Sequence, residues 1–288
     1  MRFLFSTGSL YTYSLDRCFH LAAQAGFDGM EVMVDTRWDS RDPDYLRRLV
    51  DRYGIPVLAV HSPFLHFARG WAQDEPDCIR KSVALAEAVG AEVVIHHLPL
   101  RVSYVMVQLG RKRFPLPNPW ARENREYQRW LLEEYPALQA STEVALCIEN
   151  LPGFPAYGRR WDIAYWNATR PETLDAITRF PHITMDTTHL ATWGLDPLEV
   201  YPRWRERVRH VHLSNFDGRE HRRPEDGQLA LDRLLQRMAQ DGYSHTVALE
   251  LHPDALSAGE PEAVVGQLLA DSLAHCRRWA GQIQPAPR

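Results

Sequence analysis

Short runs dense in Val, Ile, Leu and Phe alternate along the chain with longer segments whose apolar residues recur every three or four positions. The first kind predicts strands at Arg2 to Thr7, Gly29 to Val34, Val57 to His61, Glu92 to His97, Val144 to Asn150, His182 to Thr187, Arg209 to Ser214 and Thr246 to His252. The second predicts helices, among them Leu15 to Ala25, Pro43 to Tyr53, Cys78 to Val89 and Leu229 to Gln240. Gly26, Gly54, Gly90 and Gly242 follow these helices, where a left-handed residue ends a helix at least cost.

Strand and helix alternating in this way imply a parallel sheet with helices packed outside it. Eight such units close most naturally into one (β/α)8 TIM barrel, an α/β architecture of about 250 residues before insertions. An open doubly wound sheet would want a glycine-rich phosphate loop after its first strand, and STGSLYTYS supplies none. The barrel is expected over 1–281, with 282–288 (QIQPAPR) as a flexible tail. The longest insertion follows the fourth strand, from Arg101 to Pro119, ahead of a helix expected to begin near Trp120.

Alternation along each strand sorts side chains between the barrel interior and the helix layer. The fifth to eighth strands each carry one wholly aliphatic face. The opposite faces read Ala145, Cys147, Glu149; Thr184, Asp186; His210, His212, Ser214; and Ala248, Glu250, His252. Glu149, Asp186, His212 and Glu250 thus fall near strand C-termini, the end of a barrel where active sites are built. Three carboxylates and an imidazole cannot share a partly buried site as bare charges. A divalent cation resolves the conflict, and this oxygen-rich, thiolate-free set favours Mn²⁺ or Mg²⁺, with Zn²⁺ or Co²⁺ as alternatives. Parity adds His61 from the third strand, and His189, three residues after Asp186 on the following loop, is within reach of the same centre. In the fourth strand it groups His96 with Val94 and turns His97 the other way, which nominates His96. Glu31, inward in GMEVMV, is expected either to orient substrate or, the favoured reading, to pair with an arginine.

Composition narrows the reading. With 45% hydrophobic and 24% charged residues, the chain is globular and long enough to fold without a structural metal. Its four cysteines include no C-x-x-C pair, against both a disulfide framework and a thiolate zinc site. A net charge of −4 argues against a nucleic-acid or anionic-membrane surface. No signal-like or membrane-spanning apolar stretch is evident, so a cytoplasmic protein is expected.

The strings HSPF (61–64), IHHLP (95–99), CIENLPG (147–153), MDTTHL (185–190), HVHLSNFDG (210–218) and ALELHP (248–253) resemble the xylose isomerase-like TIM-barrel superfamily. Its members include sugar isomerases and epimerases, hydroxypyruvate isomerase, inosose dehydratase and apurinic endonucleases of the endonuclease IV type. The resemblance implies one divalent ion on Glu149, Asp186, His212 and Glu250, with Glu149 and Glu250 also passing the substrate proton. The endonuclease branch holds three zinc ions and recruits positions matching His61, His96, His189 and His221. Where that branch has a further metal-binding Asp, this chain has Arg219, which cannot ligate a cation.

The activity implied is a metal-dependent isomerase or epimerase of a small sugar, ketose or sugar acid. Adjacent carbonyl and hydroxyl oxygens of the substrate would chelate the ion, Glu149 and Glu250 would pass its proton, and His189 and Arg219 would steady hydroxyls or a carboxylate. A dehydratase of the inosose type is the alternative on the same scaffold, and abasic-site DNA cleavage is a second. The expected partner is a carbohydrate-like small molecule, while nucleic acid is disfavoured despite Arg101, Arg111, Lys112 and Arg113 in the insertion. Aromatic-rich loops after the first, fourth and fifth strands leave room for a homo-oligomer contact.

Overall fold

A computed structural model describes residues 1–63, 68, 70–101, 103–109, 112–118, 123–156 and 158–281; over 103–109, 112–118, 123 and 124 the backbone alone is described. Eight parallel strands close into a barrel: β1 (Arg2–Ser6), β2 (Gly29–Met33), β3 (Val57–His61), β4 (Val93–His97), β7 (Ala145–Glu149), β10 (His182–Asp186), β11 (Val208–Leu213) and β12 (Thr246–Leu249). They pair in that order, and β12 returns to β1 through Leu4 opposite Ala248. The expected TIM barrel is therefore the fold.

Local sequence explains the helices outside it. In α1 (Leu15–Ala25) the Ser14 hydroxyl accepts from the Arg17 N–H, and Gly26 closes the helix at φ 87°. Asp42 caps α2 (Pro43–Tyr53) with Pro43 in the first turn, where a missing N–H costs nothing. The third helix, α3 (Glu75–Val89), starts three residues before its expected Cys78, because Asp74 accepts from the Asp77 N–H and Pro76 suits a first turn. Also on the outside are α4 (Glu123–Glu133), α5 (Tyr135–Ala140), α7 (Pro197–Trp204), α8 (Leu231–Gln240) and α9 (Glu262–Trp279). They cover the outward strand residues Phe3, Phe5, Val60, Val94, Ile148, Met185, Val211 and Leu249, all buried in one core.

The barrel interior has its own smaller core of Leu4, Leu58, Ala59, Val93, Ile95, Cys147 and Ala248. Ala59, Ile95, Cys147 and Ala248 each stand two residues before His61, His97, Glu149 and Glu250. The lumen thus changes from aliphatic to ionisable within one step along the strands. Two register shifts accompany this, one where β2 meets β3 and one where β10 meets β11.

The insertion after β4 is not a plain loop. Its backbone forms an antiparallel hairpin, β5 (Ser103–Leu109) with β6 (Lys112–Asn118). The side chains of Arg111, Lys112 and Arg113 and the expected helix start at Trp120 lie outside the described residues, as does the tail at 282–288. A second hairpin, β8 (Phe154–Ala156) with β9 (Arg159–Trp161), follows β7. Among the described residues no helix is long and apolar enough to cross a membrane.

Candidate metal centre

Glu149 and Asp186 end β7 and β10, His212 lies one residue from the end of β11, and Glu250 directly follows β12. Backbone bridges hold these strand ends together. The Asn150 side chain donates to the Asp186 carbonyl at 3.1 Å and accepts from the Asp186 N–H at 2.9 Å. The Thr187 hydroxyl donates to the Ser214 carbonyl at 2.7 Å and so ties β10 to β11.

Two carboxylates face the same nitrogen. His212 Nδ1 lies 2.8 Å from Glu149 Oε1 and 3.1 Å from Glu250 Oε2. Asp186 Oδ2 is 3.8 Å from that nitrogen. One ligand atom from each of Glu149, Asp186, His212 and Glu250 falls within 4.8 Å of every other. Asp186 spends Oδ1 as the cap of α6 (Thr187–Ala191), accepting from the His189 N–H at 2.7 Å. Its Oδ2 is buried and has no hydrogen-bond partner among the described residues. A buried carboxylate oxygen left open beside an imidazole nitrogen and two further carboxylates fits a divalent cation with oxygen and nitrogen ligands.

Electrostatics point the same way. Burial, with Glu149 and Glu250 nearby, pushes the Asp186 carboxyl well above the usual carboxylate range. Burial alone would lower His212, yet the charges of Glu31, Glu250 and Glu149 hold its imidazolium well above the ordinary value. Glu149 lies well below its ordinary range, because attraction and hydrogen bonds from His212 and His61 outweigh its burial.

Histidines ring this group. His61 Nδ1 faces the Ser62 carbonyl at 2.9 Å, which can only accept, so Nδ1 carries the proton. Its Nε2 then meets Glu149 Oε2 at 3.3 Å. His189 Nδ1 lies 2.8 Å from the Asn150 carbonyl, and 3.5 Å and 3.6 Å from Glu149 and Asp186. His221, at φ 58°, packs edge-on against His189, with Nδ1 3.1 Å from the Glu250 carbonyl. Asp186, His189 and His221 form a second group of donors within 4.8 Å.

Two expectations need correction. His96 points outward: its ring nitrogens lie 3.0 Å from the hydroxyls of Tyr127 on α4 and Tyr135 on α5, and burial drops its pKa to about 3. His97 faces the lumen instead, with Nε2 3.3 Å from Glu149 Oε2. The pairing of β4 with β7 fixes this, since His97 stands opposite Glu149 and His96 opposite Ile148. Arg219 is 70% exposed and paired with Asp217 at 2.6 Å. Among the described residues Glu31 meets no arginine: it is fully buried, and its Oε2 lies 2.8 Å from His210 Nε2 and 3.0 Å from His212 Nε2. Two histidines of like parity in HVH were the available signal that a buried carboxylate must answer them.

Comparison with known proteins agrees with this architecture. A family model described as "Xylose isomerase-like TIM barrel" matches residues 19–274. An uncharacterized protein of Mycobacterium tuberculosis is 30% identical over 294 residues, covering 95% of this chain and 97% of that protein. Among solved structures, the 3-keto-D-glucoside 4-epimerase YcjR from E. coli superposes with a TM-score of 0.65 at 18% identity, covering 96% of this chain and 99% of the other. A family 2 AP endonuclease from Brucella melitensis gives 0.63 at 17% identity, covering 92% and 96%. The chain belongs to the xylose isomerase-like TIM barrel family.

Proposed function

We propose that the protein is a divalent-metal-dependent isomerase or epimerase of a small sugar, ketose or sugar acid, with the ion on Glu149, Asp186, His212 and Glu250. One observation carries the reading: Glu149 Oε1 and Glu250 Oε2 converge on His212 Nδ1 at 2.8 and 3.1 Å, beside the open Asp186 Oδ2. Mn²⁺ or Mg²⁺ suits this donor set best, and Zn²⁺ or Co²⁺ remains compatible with it. A bound ion would polarise a carbonyl and a neighbouring hydroxyl of the substrate.

The chain's own residues supply the proton chemistry. One of Glu149 and Glu250 takes the proton from the carbon next to the carbonyl, and the other returns it. Glu250 keeps 13% of its side chain exposed against 1% for Glu149, so it is the glutamate that meets an incoming substrate first. His189 and His221, adjoining Asp186, would hold a substrate hydroxyl. The E. coli neighbour, a 3-keto-D-glucoside 4-epimerase, accords with this class.

The test is exchange in deuterium oxide across a panel of ketoses, keto-glycosides and sugar acids, with the ion content of the purified protein measured alongside. Deuterium entering one carbon next to a carbonyl, dependent on the ion, is the expected result. A protein that holds no divalent ion under any loading condition would sink the proposal. A product with a new conjugated carbonyl would mark a dehydratase.

A second reading rests on His61 and His97. Both turn Nε2 to Glu149 Oε2 at 3.3 Å, an arrangement that would suit another ion on the far side of that carboxylate. Hydrolysis of a phosphodiester at an abasic site would use such a site. Cleavage of an abasic duplex by the metal-loaded protein would promote it, and an intact duplex would retire it.

A further inference from the structure

Beneath His212 runs a buried line of polar groups, Glu31, His210 and Thr246, that none of the chemistry above uses. The Thr246 hydroxyl lies 2.7 Å from His210 Nδ1, His210 Nε2 lies 2.8 Å from Glu31 Oε2, and His212 Nε2 lies 3.0 Å from the same oxygen. All four residues are sealed from solvent. They come from β2, β11 and β12, so the line spans the barrel below its mouth.

The direction of each bond follows from what its atoms can do. An ionised carboxylate oxygen only accepts, so His210 and His212 both present protons on Nε2. With Nε2–H of His210 turned to Glu31, its Nδ1 is the acceptor for the Thr246 hydroxyl. His212 is thereby oriented with a proton below and Nδ1 above, toward Glu149 and Glu250. Its plane is fixed as well, by His61 stacked at 5.5 Å and 12° and by His210 set edge-on at 5.0 Å and 90°.

We propose that Glu31 is the positioning residue of the metal centre, holding the His212 proton on Nε2 so that Nδ1 stays open to the ion, with His210 and Thr246 bracing the carboxylate from below. This rests on the metal reading above and deepens it. A carboxylate behind a ligating imidazole fixes the ring's tautomer and orientation and strengthens it as a donor. Burying a carboxylate is costly even with two imidazole partners on Oε2, and among the described residues Glu31 Oε1 has no hydrogen-bond partner, so the position is a poor choice for stability alone.

The experiment has two arms. In the first, long-range proton–nitrogen spectra of histidine-labelled wild-type protein, with and without Zn²⁺, should place a proton on Nε2 of both His210 and His212. With Zn²⁺ bound, Nδ1 of His212 should carry none. A His212 that protonates only Nδ1 overturns the proposal, and this arm needs no variant to fold. In the second, Zn²⁺ affinity is measured by calorimetry for wild type, Glu31→Gln and Glu31→Met, with folding of the metal-free forms checked by circular dichroism. Losing such a partner weakens metal binding by roughly 10–100-fold, the glutamine near the lower end and the methionine near the upper. Folded variants that bind Zn²⁺ as wild type does overturn the proposal while leaving the metal centre standing. A wild type that binds no ion overturns the metal reading and this inference with it, so the two failures are told apart.

Discussion

The two ends of the barrel lumen are built from the same strands, the same alternation and the same inward parity, yet they hold opposite kinds of residue. Toward the strand N-termini, Leu4, Ala59, Val93, Ile95, Cys147 and Ala248 fill the space with aliphatic groups and one thiol. One inward step further on, His61, His97, Glu149 and Glu250 replace them, joined by Asp186 and His212. The lower layer gains from removing apolar surface from water, and its loss leaves a cavity. The upper layer gathers like charges in a buried place, which works against stability unless something binds there. The electrostatic cost therefore gathers in the upper layer and in the Glu31–His210 line directly beneath it, as at a functional site.

The largest effect expected on breaking this contrast is on turnover. Glu250→Gln keeps the shape of the upper layer but removes a proton carrier, and kcat/KM should fall by about 10²–10⁴-fold on a substrate identified by deuterium exchange. The metal-free melting temperature should hold or rise, because one of several crowded carboxylates is gone. Full activity in the variant would remove Glu250 from the mechanism. In the lower layer the outcome inverts. Leu4 is fully buried against Gly29, where an added Cβ would lie 3.1 Å from the Leu4 side chain. Leu4→Ala should cost about 2–5 kcal/mol in denaturant unfolding while the folded protein keeps its ion affinity.

Next in size is the pH dependence of ion binding. In the metal-free protein Asp186 and His212 are both pushed upward, Asp186 by burial and by Glu149 and Glu250, His212 by its carboxylate neighbours against the pull of burial. An ion on Asp186 Oδ2 and His212 Nδ1 must displace those protons. Affinity should therefore rise with pH below these raised pKa values, by about tenfold per unit for each proton released. Calorimetry in buffers of differing ionisation enthalpy would count the protons. Binding that ignored pH, or released none, would place the ion elsewhere.

How far the sequence disclosed this layering depends on the strand. In β7, β10, β11 and β12 an aliphatic residue separates each polar one, so parity alone assigned Glu149, Asp186, His212 and Glu250 to one lumen. In β4 the run Val93, Val94, Ile95, His96, His97 has aliphatic and imidazole residues on both faces, and alternation has nothing to grip. The inward choice of His97 is set by pairing with Glu149 across β7, a contact between residues far apart in sequence. Glu31 was legible as inward, but its partners lie 179 and 181 positions away and left no local trace. Chain resemblance assigned Arg219 a position near the site, yet where that side chain turns is decided by Asp217, two residues before it. The hairpin in the insertion stayed hidden because Pro115 and Pro117 argue against a strand, and a two-stranded ribbon still tolerates them at positions that donate no ladder bond.

Arg219 supplies the smallest effect and a useful control. Its guanidinium lies 2.6 Å from Asp217 Oδ2 while 70% of its side chain meets solvent, so the pair is screened by salt and its ordering offsets most of its attraction. Arg219→Ala should leave melting temperature, ion affinity and kcat/KM within measurement error. A selective rise in KM for acidic substrates, with kcat unchanged, would mean that the loop swings inward when substrate binds and that the rim, as well as the floor, of the upper layer reads the ligand. An unchanged KM would remove Arg219 from recognition and leave it to the other residues of the upper layer, His61 and His97 on β3 and β4 included.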